Sequence, residues 1–225
     1  MLRIAVLVSG RGSNFKALLD HLRSGRIAAE IALVLSNAPD APALEHARTA
    51  GIPVWAASHK TYASRAAFDA AMLVAMEQAG VEAVVLAGYM RLLSPGFIRA
   101  YADKILNIHP SLLPAFPGVS GGADALAYGV KLAGCSVHFV EDAMDAGRVV
   151  IQAALPVRDT DTEESLMERI HALEHRIYPQ AVAWLASGRL AVEGRAVRLL
   201  PPEKAVDSAP ASGDSLIHPP LEKGF

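Results

Sequence analysis

The stretch Ile4-Ala5-Val6-Leu7-Val8-Ser9-Gly10-Arg11-Gly12-Ser13-Asn14-Phe15 decides the fold. Its first five residues are continuously apolar, as in a strand covered on both faces. A glycine-bearing loop follows, and then Phe15, Leu18, Leu19 and Leu22 recur at helix spacing until Ser24-Gly25. Glycines let a backbone approach a ligand, and amide groups at a helix start favour an anion such as phosphate. The loop is not a P-loop, because no Gly-Lys-Ser/Thr follows, and Phe15 stands where a dinucleotide pattern needs its third glycine. An anion site and an ordinary tight turn both fit it.

Strands and helices continue to alternate along the chain, without an internal sequence repeat. Strands are predicted over 31–35, 53–56, 83–87 and 105–108, with helices over 43–50, from Ser64 or Arg65 to Gln78, and around 97–102. Further on, a helix over 123–128 precedes a strand over 134–140, in which Ser136 and His138 read as outward polar positions. An acidic loop (141–147), a strand (149–155), a helix from 162–163 to 186 and two short strands (190–192 and 196–200) complete the pattern. Strands alternating with helices through short links predict an α/β fold, an open, mostly parallel twisted sheet with helices on both faces, Rossmann-like. One domain is expected over 1–200. Beyond Pro201-Pro202 the composition turns to Ser, Pro, Ala, Gly and Asp without periodicity, so 201–225 is expected to be a flexible tail.

Composition narrows the function. A hydrophobic fraction of 52% in 225 residues is ample for a buried core. The formal net charge of -2, without a long basic block, argues against nucleic acid as a partner and leaves small molecules. The single cysteine, Cys135, excludes an internal disulfide and suits a reducing cytosol. The apolar amino terminus is too short to span a bilayer and lacks a cleavage signal, so a cytoplasmic protein without membrane attachment is expected. The sequence leaves monomer and homodimer open.

Chemistry-bearing residues gather at predicted strand ends, where open parallel sheets bind ligands. Leu106-Asn107-Ile108-His109-Pro110-Ser111-Leu112-Leu113-Pro114 puts an amide, an imidazole and two prolines after one strand; Asp145 lies in the loop after another; Gly12, Ser13 and Asn14 follow the first. Two other motifs carry less. Gly118-Val119-Ser120-Gly121-Gly122 matches the hydrolase elbow, but Pro114-Ala115-Phe116-Pro117 ahead of it is poor strand material. His171-Ala172-Leu173-Glu174-His175 has zinc-ligand spacing, yet a third ligand would have to come from elsewhere. No metal is expected.

With these residues stand Leu86-Ala87-Gly88-Tyr89-Met90-Arg91, Ser136-Val137-His138-Phe139-Val140 and Glu174-His175-Arg176-Ile177-Tyr178-Pro179. Together they resemble the phosphoribosylglycinamide formyltransferases, folate-dependent enzymes of purine synthesis, over roughly residues 1–200. The resemblance implies that glycinamide ribonucleotide binds with its phosphate on Gly12, Ser13 and Asn14 and its ribose hydroxyls on Glu174. It implies 10-formyltetrahydrofolate as co-substrate, lying along Met90, Arg91, Leu92 and Leu93 with Arg65 and the loop from Val140 nearby and Asn107 close to the formyl group. The substrate amine would attack the formyl carbon, with Asn107 and a protonated His109 stabilising the developing oxyanion. Asp145 would favour the charged imidazole and orient a water that moves the proton. A cis peptide is implied at Leu113-Pro114.

The chain departs from the family's usual pattern in two places. Val119-Ser120-Gly121-Gly122 stands where many members carry histidines, and Arg148 replaces a proline common after the Asp-x-Gly of the acidic loop. Formyltetrahydrofolate hydrolase and methionyl-tRNA formyltransferase resemble the same catalytic stretch, but would be expected to carry a further domain ahead of it or behind it. A folate- or nucleotide-binding regulator without activity is the alternative from another class.

Overall fold

The computed structural model describes residues 1–203, 206–209 and 213–225, in two compact units, Met1–Asn107 and Ile108–Phe225. The first contains β1 (Leu2–Val8), α1 (Ser13–Arg23), β2 (Ala29–Ser36), α2 (Ala43–Thr49), β3 (Val54–Ala56), α3 (Arg65–Gln78), β4 (Ala83–Leu86) and α4 (Pro95–Ala100), and it ends within β5 (Ile105–His109). Its strands run in the order β3-β2-β1-β4-β5, every pairing parallel. Ile4 to Val8 on β1 are all wholly buried, although successive side chains point to opposite faces. Both faces are therefore covered, as the continuous apolar run predicts. Ser64 and Ser94 cap α3 and α4 by accepting the amides of Ala67 and Phe97, which fixes where each helix begins.

The second unit holds α5 (Gly121–Tyr128), β6 (Leu132–Phe139), β7 (Val149–Pro156), α6 (Glu163–Ala186), β8 (Leu190–Glu193), β9 (Ala196–Leu199) and β10 (Leu216–His218). β6 pairs antiparallel with β7, and β7 with β10; β8 and β9 form a separate hairpin. α6 packs on β6 and β7. It opens with a capping box, in which the Thr162 hydroxyl accepts the Ser165 amide and the Ser165 hydroxyl accepts the Thr162 amide. Parallel pairing predominates over the whole, and the expected mostly parallel α/β class is what the chain adopts.

Two expectations need correcting. Ser136 and His138 do not face outward: β6 is buried from 133 to 139, so it has no solvent face, and both side chains make internal hydrogen bonds. The residues after Pro202 are not simply a tail. β10 supplies an edge strand to β7, Leu221 is buried, and the Glu222 carboxylate accepts from Trp184 Nε1 and Arg189 while its amide donates to Gln180. A strand of three residues is too short to show a period, and the unpaired edge of β7 gives it a partner that composition does not reveal. The part of the tail expectation that falls on 204–205 and 210–212 lies outside the described residues.

Candidate active site

β5 delivers His109 to the start of the second unit, with Asn107 two positions earlier and so on the same side of the strand. His109 is buried at 4% exposure. Its Nε2 lies 2.9 Å from the Phe116 carbonyl oxygen, and its Nδ1 lies 3.6 Å from Oδ2 of Asp145. A carbonyl can only accept, so Nε2 carries a proton. Nδ1, facing the carboxylate, is then the nitrogen that takes up or releases one. Asp145 has φ 51, and its Oδ2 also accepts the Gly118 amide at 2.8 Å. The loop after Pro117 thus engages the acid while Phe116 engages the base.

A third group escaped the sequence reading. His138 Nε2 is 3.7 Å from the other Asp145 oxygen, Oδ1, and its Nδ1 donates to the Phe139 carbonyl at 2.9 Å. Burial pushes the His138 pKa below its ordinary 6.5, against the raising effects of that carbonyl and of Asp145. The ring is therefore neutral at neutral pH. The available signal was the lead of β6 directly into the loop that carries Asp145.

The chain's exit from β5 rests on β6 and β7. The Ser136 hydroxyl donates to the Ser111 carbonyl at 2.7 Å and accepts from the Leu113 amide at 3.0 Å, while Gln152 Nε2 donates to the Leu113 carbonyl and to Ser136 Oγ. Leu113–Pro114 is cis, as the resemblance implied. The hydrolase-like serine, Ser120, is exposed and is preceded by loop.

In the first unit the turn before α1 places Gly12 at φ 80 as the helix cap, with no side-chain acceptor. A Cβ there would lie 2.6 Å from that of Ala43, so the close approach of α2 to the loop requires glycine. Ser13 and Asn14 open the helix. Ser9 ties this loop to the expected folate strip: its hydroxyl donates to Asn37 Oδ1 at 2.5 Å and accepts the Met90 amide at 2.8 Å. Met90 and Leu92 are 68% and 54% exposed, an uncovered apolar pair of the kind that takes a flat ring. Leu93 is buried, and the Arg91 guanidinium lies over the Phe68 ring at 5.6 Å. The buried Asp69 anchors the end of the strip by accepting the Ser94 amide at 2.5 Å. Arg65 is exposed at the first position of α3.

In the second unit Val140 follows β6 half-buried, and Glu174 is buried on α6 at 3% exposure. Burial, and secondarily the charge of Glu174, raise the Cys135 thiol pKa well above its ordinary 9.0, as fits a core residue. Burial also lowers His171 and His175, the latter further through His171. Among the described residues no cluster of three or more His, Cys, Asp or Glu side chains gathers around them.

The sequence profile of the family described as formyl transferase matches residues 2–182. The chain belongs to this family. Among formyl transferase relatives, the phosphoribosylglycinamide formyltransferase of Escherichia coli (strain K12) is 42% identical over 206 residues, covering 90% of this chain and 97% of that protein. The trifunctional purine biosynthetic protein adenosine-3 of Bos taurus is 46% identical over 195 residues, 86% of this chain but only 19% of that much longer protein. The crystal structure of glycinamide ribonucleotide transformylase 1 from Symbiobacterium toebii superposes with a TM-score of 0.87 at 52% identity, covering 89% of this chain and 94% of that one.

Proposed function

We propose that this formyl transferase moves a formyl group from 10-formyltetrahydrofolate to the amine of 5'-phosphoribosylglycinamide, giving formylglycinamide ribonucleotide and tetrahydrofolate in de novo purine synthesis. The observation that carries the reading is the buried His109–Asp145 pair, in a chain matching almost the full length of the Escherichia coli enzyme of that name. The folate supplies the formyl carbon, and the exposed Met90 and Leu92 beside Arg91 and Leu93 suit its pterin, with Arg65, Asn107 and Val140 as further contacts. Gly12, Ser13 and Asn14 offer the substrate phosphate a helix start, and Glu174 accepts from its ribose hydroxyls.

Three groups of the chain act on the transfer. The Asn107 amide donates to the formyl oxygen as charge develops there. His109 exchanges a proton at Nδ1. Asp145, held by the Gly118 amide and 3.6 Å from that nitrogen, steers the proton removed from the amine. No side-chain nucleophile is required. The partners are small molecules in the cytoplasm, and no helix among the described residues is long and apolar enough to cross a membrane.

Formyl transfer to 5'-phosphoribosylglycinamide by the purified chain, followed by the absorbance change of the folate, tests the proposal. Turnover that depends on both substrates supports it. Release of formate in water at the same rate without the amine would point to hydrolysis, and binding of both ligands without turnover to a regulator.

A further inference from the structure

The geometry points to Glu141, Arg148 and Arg195 as positioning residues that form a clasp around the loop presenting Asp145. Asp145 adopts the left-handed region, φ 51, which costs a residue with a Cβ some strain and is favoured where surrounding contacts hold it. The loop's own turn is loose, with the Ala146 amide 3.3 Å from the Ala143 carbonyl. The restraint comes from outside. Arg148 Nε donates to Glu141 Oε1 at 2.8 Å, joining the two ends of the loop, and the guanidinium lies 6.0 Å from the centre of the Phe139 ring. Arg195, in the turn between β8 and β9, donates from Nη1 to the Ala146 carbonyl at 2.7 Å and stands 3.8 Å from Glu141 Oε2. One arginine therefore closes the base of the loop, and the other holds the peptide next to Asp145, with Glu141 shared between them.

The clasp gives the Arg148 departure a purpose. A proline at that position stiffens the backbone through its ring. Here the same loop end is tied by charge and by a hydrogen bond reaching from a hairpin elsewhere in the second unit. The Arg195–Glu141 contact is exposed on the arginine side and contributes little to stability, so the effect of Arg195 lies in geometry. Asp145 acts on His109 at 3.6 Å, and a misplacement of about 1 Å in a reacting constellation is enough to slow turnover severely. Loosening the loop accordingly lowers kcat and leaves the KM for the phosphorylated substrate in place. In the wild type, added salt acts in the same direction, because the exposed Arg195–Glu141 contact is screened.

The inference rests on the formyltransferase reading for its kinetic measurement, and amide hydrogen exchange supplies one that does not. Arg195→Ala is the first variant, since Arg195 is 72% exposed at its side chain and its loss leaves the core intact. Its kcat for formyl transfer is expected to fall roughly tenfold with KM unchanged, and the amides of 142–147 to exchange faster than in the wild type. Arg148→Pro is expected to retain more turnover than Arg148→Ala, a rescue that lost packing alone does not give. Unchanged kcat in Arg195→Ala, or unchanged exchange over 142–147, overturns the clasp. If the wild type shows no formyl transfer, the functional reading falls and exchange alone decides: faster exchange in Arg195→Ala keeps the clasp, and unchanged exchange removes it.

Discussion

His109 is buried with one ring nitrogen committed to a carbonyl and the other turned toward an acid. Replacing it with alanine is expected to lower kcat by about 10²–10⁴-fold, the usual worth of a positioned proton-transfer group, while the KM of the phosphorylated substrate changes little. Steady-state kinetics separates the two, and turnover like the wild type's would remove His109 from the chemistry. Gly12 is constrained differently, by its φ of 80 and by the Ala43 Cβ that an added methyl would meet. Gly12→Ala should cost about 1–3 kcal/mol from left-handed strain and overpacking, read by urea denaturation. It should also weaken substrate binding, because the loop it shapes is the proposed phosphate site. At this scale Asn107, His109 and Asp145 were legible in the sequence as candidates, by their type and position. It concealed His138, since a polar residue in a strand reads as outward unless both faces of the strand are known to be covered.

Among the elements, α6 carries a capping box at its start and receives the carboxyl-terminal segment through Trp184 and Gln180. The Thr162 capping box satisfies amides that the first turn leaves open, and Thr162→Ala is expected to cost about 1 kcal/mol in chemical denaturation. α6 continues through Pro179 even though that residue offers no amide to the His175 carbonyl, because its neighbours Ile177, Tyr178, Ala181 and Val182 are wholly buried and packing outweighs the missing bond. Leu221 shows that the carboxyl-terminal residues form part of the fold. Leu221→Ala should destabilise by about 2–5 kcal/mol, the range for a buried leucine, whereas a flexible tail would give almost nothing. The sequence located the helices closely, since their periodicity extends over several turns, and missed β10, which has too few residues to display any.

For the whole molecule, pH dependence follows from histidines that folding keeps neutral. Burial is the main cause lowering the pKa values of His138, His171 and His175 below their ordinary 6.5. The unfolded chain then binds protons that the folded one refuses, so stability is level above about pH 7 and falls as pH drops through 6.5 toward the lowered folded values. Denaturation midpoints measured between pH 8 and pH 5 should show this loss, and His138→Gln should reduce it if the variant folds. By itself the sequence determined the α/β class, the order of strands and helices as far as β9, and the family to which the chain belongs. Those follow from local apolar periods and from short motifs whose residues are neighbours in the chain. Only the tertiary structure decided that Ser136 and His138 face inward, that β10 pairs with β7, and that Arg148 and Arg195 meet around Glu141. Such contacts join residues far apart in sequence, and they depend on which faces are covered once the elements have packed, which no local pattern records.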